Sequence, residues 1–224
     1  MSLAQPLFAV AHRDLFRAAC GAHRSARFLA VRLDQPARIA TISGVGRAHG
    51  VSPLSVESEF LNFSADKLTQ LMARIETCVE MLTPEQLWMR NAANSNAVGN
   101  LLLHLNGNVR QWILHGVSGQ ADHRQRDAEF DAEGGLGAQE LLARLRGTVE
   151  EAVTLFRALP AERLLEHIQP QGYEGTVLTA IYHVVEHFAG HTFQIMLLTK
   201  QFTGEDLGFY AHLSGSQPRT DPLP

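Results

Sequence analysis

The sequence predicts an all-α protein organised as a four-helix bundle. Three observations carry that expectation. Four long stretches place apolar residues at three- and four-residue steps, polar Pro- and Gly-bearing segments separate them, and no run alternates convincingly as a strand does. Of the 224 residues, 45% are hydrophobic and 19% are charged, which suits one globular domain with something appended.

Residues 1–55 differ from the rest. They are rich in Ala and Arg and lack a sustained helical period. Seven arginines stand against Asp14 and Asp34, a net +5, which leaves −9 for the remainder of a chain whose total is −4. Two readings fit: an Arg-rich, acid-poor targeting segment, or a poorly ordered extension ahead of a later true start. The second is preferred, because Gly44, Gly46, Gly50 and Pro53 break any long helix and leave room only for a short one around Leu7–Phe16.

The expected bundle covers 56–213. Its first helix carries Phe60, Phe63, Leu68, Leu71, Met72, Ile75, Val79 and Leu82 at helical spacing. Thr83-Pro84-Glu85-Gln86 follows as a cap with proline at the first helical position, opening a short turn through Trp88. After a polar loop, Ser95 or Asn96 is expected to cap a second helix running to about His115. Glycines 116, 119, 134, 135 and 137 bracket a polar connection. The third helix spans about 138–159 and stops at Pro160, and the fourth spans 176 to about 201. Residues 214–224 form an irregular tail.

Composition excludes several function classes. The acidic body argues against nucleic acid as the main partner. No apolar run approaches the roughly 18 residues that span a bilayer, and the start lacks the compact apolar core of a secretory signal. Two cysteines, Cys20 and Cys78, are too few for a disulfide framework. These features together give the expectation of a cytoplasmic protein with no membrane partner. Cys78 falls on the apolar face of the first helix and reads as core.

The chemistry-bearing residues are histidines. In the fourth helix His183, His187 and His191 stand one turn apart on one face. All three cannot meet one ion, since the outer pair is separated by about 12 Å along the axis. Two of them with a ligand from a facing helix can chelate a divalent metal, and His104 of the second helix offers that ligand. The competing reading is a solvated polar stripe, because Asn100 and Asn108 flank His104 at one-turn steps. Phe188 directly after His187 excludes a zincin motif, and no Glu stands three residues before any of these histidines, which excludes a ferritin-like di-iron bundle.

The stretches Ser95–Trp112, Glu186–His191 with Gln194, Leu198–Lys200 and Gly204–Tyr210 resemble the DinB-like (YfiT-like) superfamily of metalloenzymes, in a branch known mostly as a domain of unknown function. The resemblance covers roughly 57–213. It implies a DinB/YfiT-like four-helix bundle with His104, His187 and His191 as metal ligands. It places His183 behind them, orienting a ligand or its bound water. It further implies zinc, nickel or manganese as the ion, a low-molecular-weight thiol as a possible cofactor, a small thiol or electrophile as partner, and a homodimer. The expected function is a metal-dependent thiol transferase or hydrolase with an open position on the ion. The alternative is a non-catalytic metal- or small-ligand-binding bundle connected with stress.

Overall fold

The computed structural model describes residues 55–211, which lie in the second of two units of the chain, Val51–Pro224. The expectations for the leader before Ser55 and for the tail lie outside the described residues. Six helices occur among them: α1 (Val56–Glu80), α2 (Pro84–Leu87), α3 (Val98–Val109), α4 (Arg126–Asp131), α5 (Ala138–Ala158) and α6 (Val177–Thr203). α3 runs on without a break as a π-helical turn, Arg110–His115. The described chain is therefore mostly helical. α1 packs on α5 and α6, and α3 packs on the same two helices.

Local chemistry sets the helix ends. The Ser55 hydroxyl accepts from the Ser58 N–H to open α1. At α2 Thr83 and Gln86 exchange side-chain and backbone hydrogen bonds, as the sequence pattern predicts. Gly204 closes α6 with a φ of 75°, the left-handed conformation that favours glycine. The start of α3 corrects an expectation. Neither Ser95 nor Asn96 caps it: the Ser95 hydroxyl turns back to Ala92, and Asn100 Oδ1 instead accepts from the Ala97 N–H from inside the helix.

The apolar stripes meet in one core. Leu68, Ile75, Leu101, Leu105, Leu145, Phe156, Ile181 and Phe188 are all essentially inaccessible, and Cys78 is buried among them as the sequence predicts. Each fully buried side chain of this size is worth about 1.5–3 kcal/mol. Phe63 departs from the pattern. It is 48% exposed and carries the Lys67 ammonium 5.2 Å from its ring centre.

Two features escaped the sequence reading. The connection after α3 contains the short helix α4, and a two-residue antiparallel ladder pairs His167 with Thr176 and Ile168 with Gly175 just before α6. The ladder is too short to show the period of a strand.

Trp88, after α2, lies across the first turn of α3. A Cβ added at Gly99 would stand 2.8 Å from its indole ring, so only glycine admits this packing. Gly99→Ala is expected to destabilise the protein by about 1–3 kcal/mol, as overpacking does. Thermal unfolding checks this: the melting temperature should fall by about 2–4 °C for each kcal/mol, and an unchanged value would contradict the packing.

Candidate metal centre

Helices α3 and α6 lie side by side with their polar residues turned toward each other. His104 Nε2 stands 2.9 Å from His187 Nε2. Further along the seam, Trp112 of α3 meets His183 of α6, with ring centres 4.2 Å apart. Because later residues of α3 face earlier residues of α6, the two helices run antiparallel here. The His191 ring completes a cluster, 4.5 Å from His187 and 5.1 Å from His104 between ring centres. One nitrogen from each of His104, His187 and His191 lies within 4.8 Å of the other two.

The structure thus brings together His104, His187 and His191. His183 does not join them: its ring stacks on His187 at 5.5 Å and lies tilted against Trp112 at 4.2 Å. The solvated-stripe reading of α3 is overturned, because Asn100 is 0% and Asn108 only 4% exposed.

His104 is held from behind by residues the sequence reading missed. Its Nδ1 lies 3.0 Å from Glu129 Oε2, on α4. Arg124 grips the same carboxylate with two bonds, Nε to Oε1 at 2.7 Å and Nη2 to Oε2 at 2.8 Å, and extends Nη1 to Gln111 Oε1 at 2.9 Å. Burial pushes the Glu129 carboxyl up, but the hydrogen bonds from Arg124 and His104 outweigh it and the net shift is downward. Glu129 is therefore an acceptor. Arg124 Nη2 also lies 3.2 Å from His104 Nδ1, but the shorter contact to a carboxylate requires a proton on that nitrogen. The remaining nitrogen, Nε2, keeps its lone pair for the α6 side.

The clamp is itself braced. Asn100 Nδ2 donates to the carbonyls of Glu129 at 3.0 Å and Ala132 at 2.7 Å, and Arg90 Nη2 donates to those of Phe130 at 2.6 Å and Ala132 at 3.1 Å. These bonds satisfy carbonyls at the end of α4 that have no partner within the helix. The Phe130 ring covers His104 at 4.7 Å. Gly107, on the turn of α3 after His104, makes room for all this. A Cβ there would collide with Glu129 Oε1 and stand 2.8 Å from Arg124 Nε. On its outer side the clamp borders a cleft of about 330 Å³, lined in part by Leu103, Arg110 and Asp122.

The donor set suits a divalent metal. Burial lowers His187 to about 3, helped by its neighbours His191, His104 and His183 and by Arg124. Burial also lowers His191, whose Nδ1 lies 3.0 Å from Gln194 Oε1; the amide oxygen fixes the proton there and leaves Nε2 free. His187 and His191 are thus held neutral, and a neutral imidazole is what a metal ligand must be. Nitrogens around a tetrahedral zinc at about 2.0–2.1 Å stand about 3.3 Å apart; here His104 Nε2 and His187 Nε2 are 2.9 Å apart and all three donors lie within 4.8 Å of one another. The three side chains can hold a metal ion.

The fold and this cluster define a mostly helical protein with a partly buried, carboxylate-backed three-histidine cluster. Residues 55–214 match the family model described as protein of unknown function (DUF1572), and the chain belongs to that family. No curated protein matches the chain.

Glu129 and Arg124 form a nearly inaccessible ion pair, with side chains 10% and 4% exposed. Removing one partner strands the other as a buried charge. Glu129→Ala is expected to cost about 3–5 kcal/mol. The double change Glu129→Leu with Arg124→Met should cost less than Glu129→Ala alone. Urea unfolding of these two variants and the unaltered protein checks the order, and a double change that costs as much as Glu129→Ala or more would contradict the coupling.

Proposed function

We propose that the protein is a divalent-metal-dependent enzyme with a bundle of the DinB-like type. His104, His187 and His191 hold the ion, and a small thiol is its working ligand. The observation that carries this reading is the gathering of three imidazoles in one cluster, His104 buried and His187 and His191 half-buried, with the tautomer of His104 fixed by a carboxylate. Such carboxylate–histidine pairs orient metal ligands and raise their basicity. The bundle type rests on the four long helices around one core and on the sequence stretches quoted above.

Three neutral ligands would leave the charge of an ion held by His104, His187 and His191 uncompensated, which would favour an anionic thiolate beside them. A divalent ion at this point supplies Lewis acidity that lowers the pKa of a bound thiol or water. The protein's residues do the rest. Phe130 and the buried side chains of α3 and α6 limit water around the cluster, which strengthens electrostatic interactions within it. Glu129 and Gln194 keep the protons of His104 and His191 on the nitrogens that face away from the ion. The reaction class is attack of a small thiol, its proton lost to solvent, on an electrophilic carbon, with an S–C bond formed as the bond to the leaving group breaks; hydrolysis is the related outcome with water as the nucleophile.

The metal reading is tested by elemental analysis of purified full-length protein. His104→Ala, His187→Ala and His191→Ala should each lose most of the bound divalent metal, while His183→Ala should keep most of it. Metal content like that of the unaltered protein in all three would contradict the reading.

The catalytic reading is tested separately, with cysteine or glutathione and a generic alkylating electrophile. Thiol consumption should require metal and should fall to the metal-free rate in His187→Ala. Consumption equal with and without metal would leave a metal-binding protein without this activity.

A further inference from the structure

One face of α6 lies outside both the core and the histidine seam, and it is apolar. Tyr182, Phe193 and Leu197 are 60%, 51% and 57% exposed on it. With Glu186 and Lys200 they recur at steps of four, seven, four and three residues, which keeps all five within about 60° of one another around the helix. His187 and His191 point about 120° and 160° away from Phe193, and Phe188 of the core about 140° away in the opposite sense. α5 has an outer face of the usual kind, covered by Glu140, Arg144, Arg146, Glu150 and Glu151. Single exposed apolar side chains need no explanation, but a stripe about 22 Å long on one helix marks a surface that another molecule covers.

Gly190, beside Phe193, is a second observation. Glycine inside a helix costs about 1 kcal/mol relative to alanine. A Cβ at this position would meet nothing within 4 Å, so the packing of a single chain does not call for it. Close approach of a second backbone does.

The face is complementary to itself. In a two-fold pair each residue of one copy meets a residue of the other, and the reverse contact is identical. Two antiparallel α6 helices crossing at Phe193 bring together residues equally far on either side of it. Glu186, seven residues before, then faces Lys200, seven residues after. Ala189, four before, faces Leu197, four after, and Tyr182, eleven before, faces Gly204, eleven after. Opposite charges meet, and small residues meet large ones. Among the described residues neither Glu186 nor Lys200 forms an ion pair within the chain. A parallel pair would instead set Glu186 against Glu186 and Lys200 against Lys200.

We propose that two copies of the chain dock through this face of α6, antiparallel about a two-fold axis at Phe193, with Glu186 of each protomer paired to Lys200 of its partner. The two Phe193 rings meet on the axis, and Ala189 and Gly190 let the helices approach.

Sedimentation equilibrium of the full-length protein at about 1–100 μM tests this. The unaltered protein should sediment at twice the 24.7 kDa of one chain. Phe193→Glu sets two carboxylates face to face on the axis and should leave a monomer with unchanged helicity by circular dichroism. Glu186→Lys and Lys200→Glu each replace two attractions by two repulsions, and each should weaken the dimer at least about tenfold. Mixed in equal amounts, these two variants should form a heterodimer as tight as the unaltered dimer, because every facing pair is again of opposite charge. A monomer at every concentration overturns the proposal, and the face then serves a different partner. A dimer that survives Phe193→Glu overturns it, as do two charge-reversed variants that stay apart when mixed.

Discussion

The hydrogen bond between His104 and Glu129 is the contact on which the rest of the centre depends. It fixes which nitrogen of His104 bears the proton, and so which one faces α6. It also explains a buried arginine. Arg124 is inaccessible because it neutralises the carboxylate that His104 needs, and two bonds between planar groups set the orientation of both. A carboxylate without Arg124 would be a costly buried charge, and Arg124 without Glu129 an equally costly one.

That requirement reaches into the fold. α4 has only six residues and cannot hold its position by its own helical hydrogen bonds. It is held by Asn100 and Arg90 on its terminal carbonyls and by the clamp on Glu129. α3 accordingly gives up good helix formers on this face for Asn100, His104 and Gly107, one turn or nearly so apart. Glycine inside a helix costs about 1 kcal/mol relative to alanine, and the space it leaves is filled by the Glu129–Arg124 pair. The stability of the helical core comes from the apolar faces of α1, α3, α5 and α6, which leaves the α3–α6 seam able to carry polar groups.

The four long helices were legible in the sequence because each has an apolar period sustained over three or more turns, and burial of that stripe is what selects the helix. The grouping of His104 with His187 and His191 was legible too. One-turn spacing on α6 and a lone histidine amid leucines on α3 both follow from helix geometry, and the sequence stretches around them resemble a superfamily with that pattern. Glu129 and Arg124 were not legible. They sit in a polar, glycine-bracketed connection with no period, and their burial is set by tertiary contacts with α3. A signal was nonetheless present: Asn100 and Gly107, one turn either side of His104 on α3, mark a face that packs against something polar. Asn100 and Asn108 were open to reading as a solvated stripe because a polar side chain looks the same in sequence whether water or protein satisfies it.

The central claim is that one divalent ion is held by the Nε2 atoms of His104, His187 and His191 while Glu129 keeps His104 Nδ1. Anomalous diffraction from crystals of the zinc-loaded protein tests it most directly. The account predicts a single strong peak about 2.0–2.1 Å from all three Nε2 atoms, with the His104–Glu129 bond intact. No peak at the cluster, or an ion bound through His104 Nδ1 with Glu129 displaced, would contradict it.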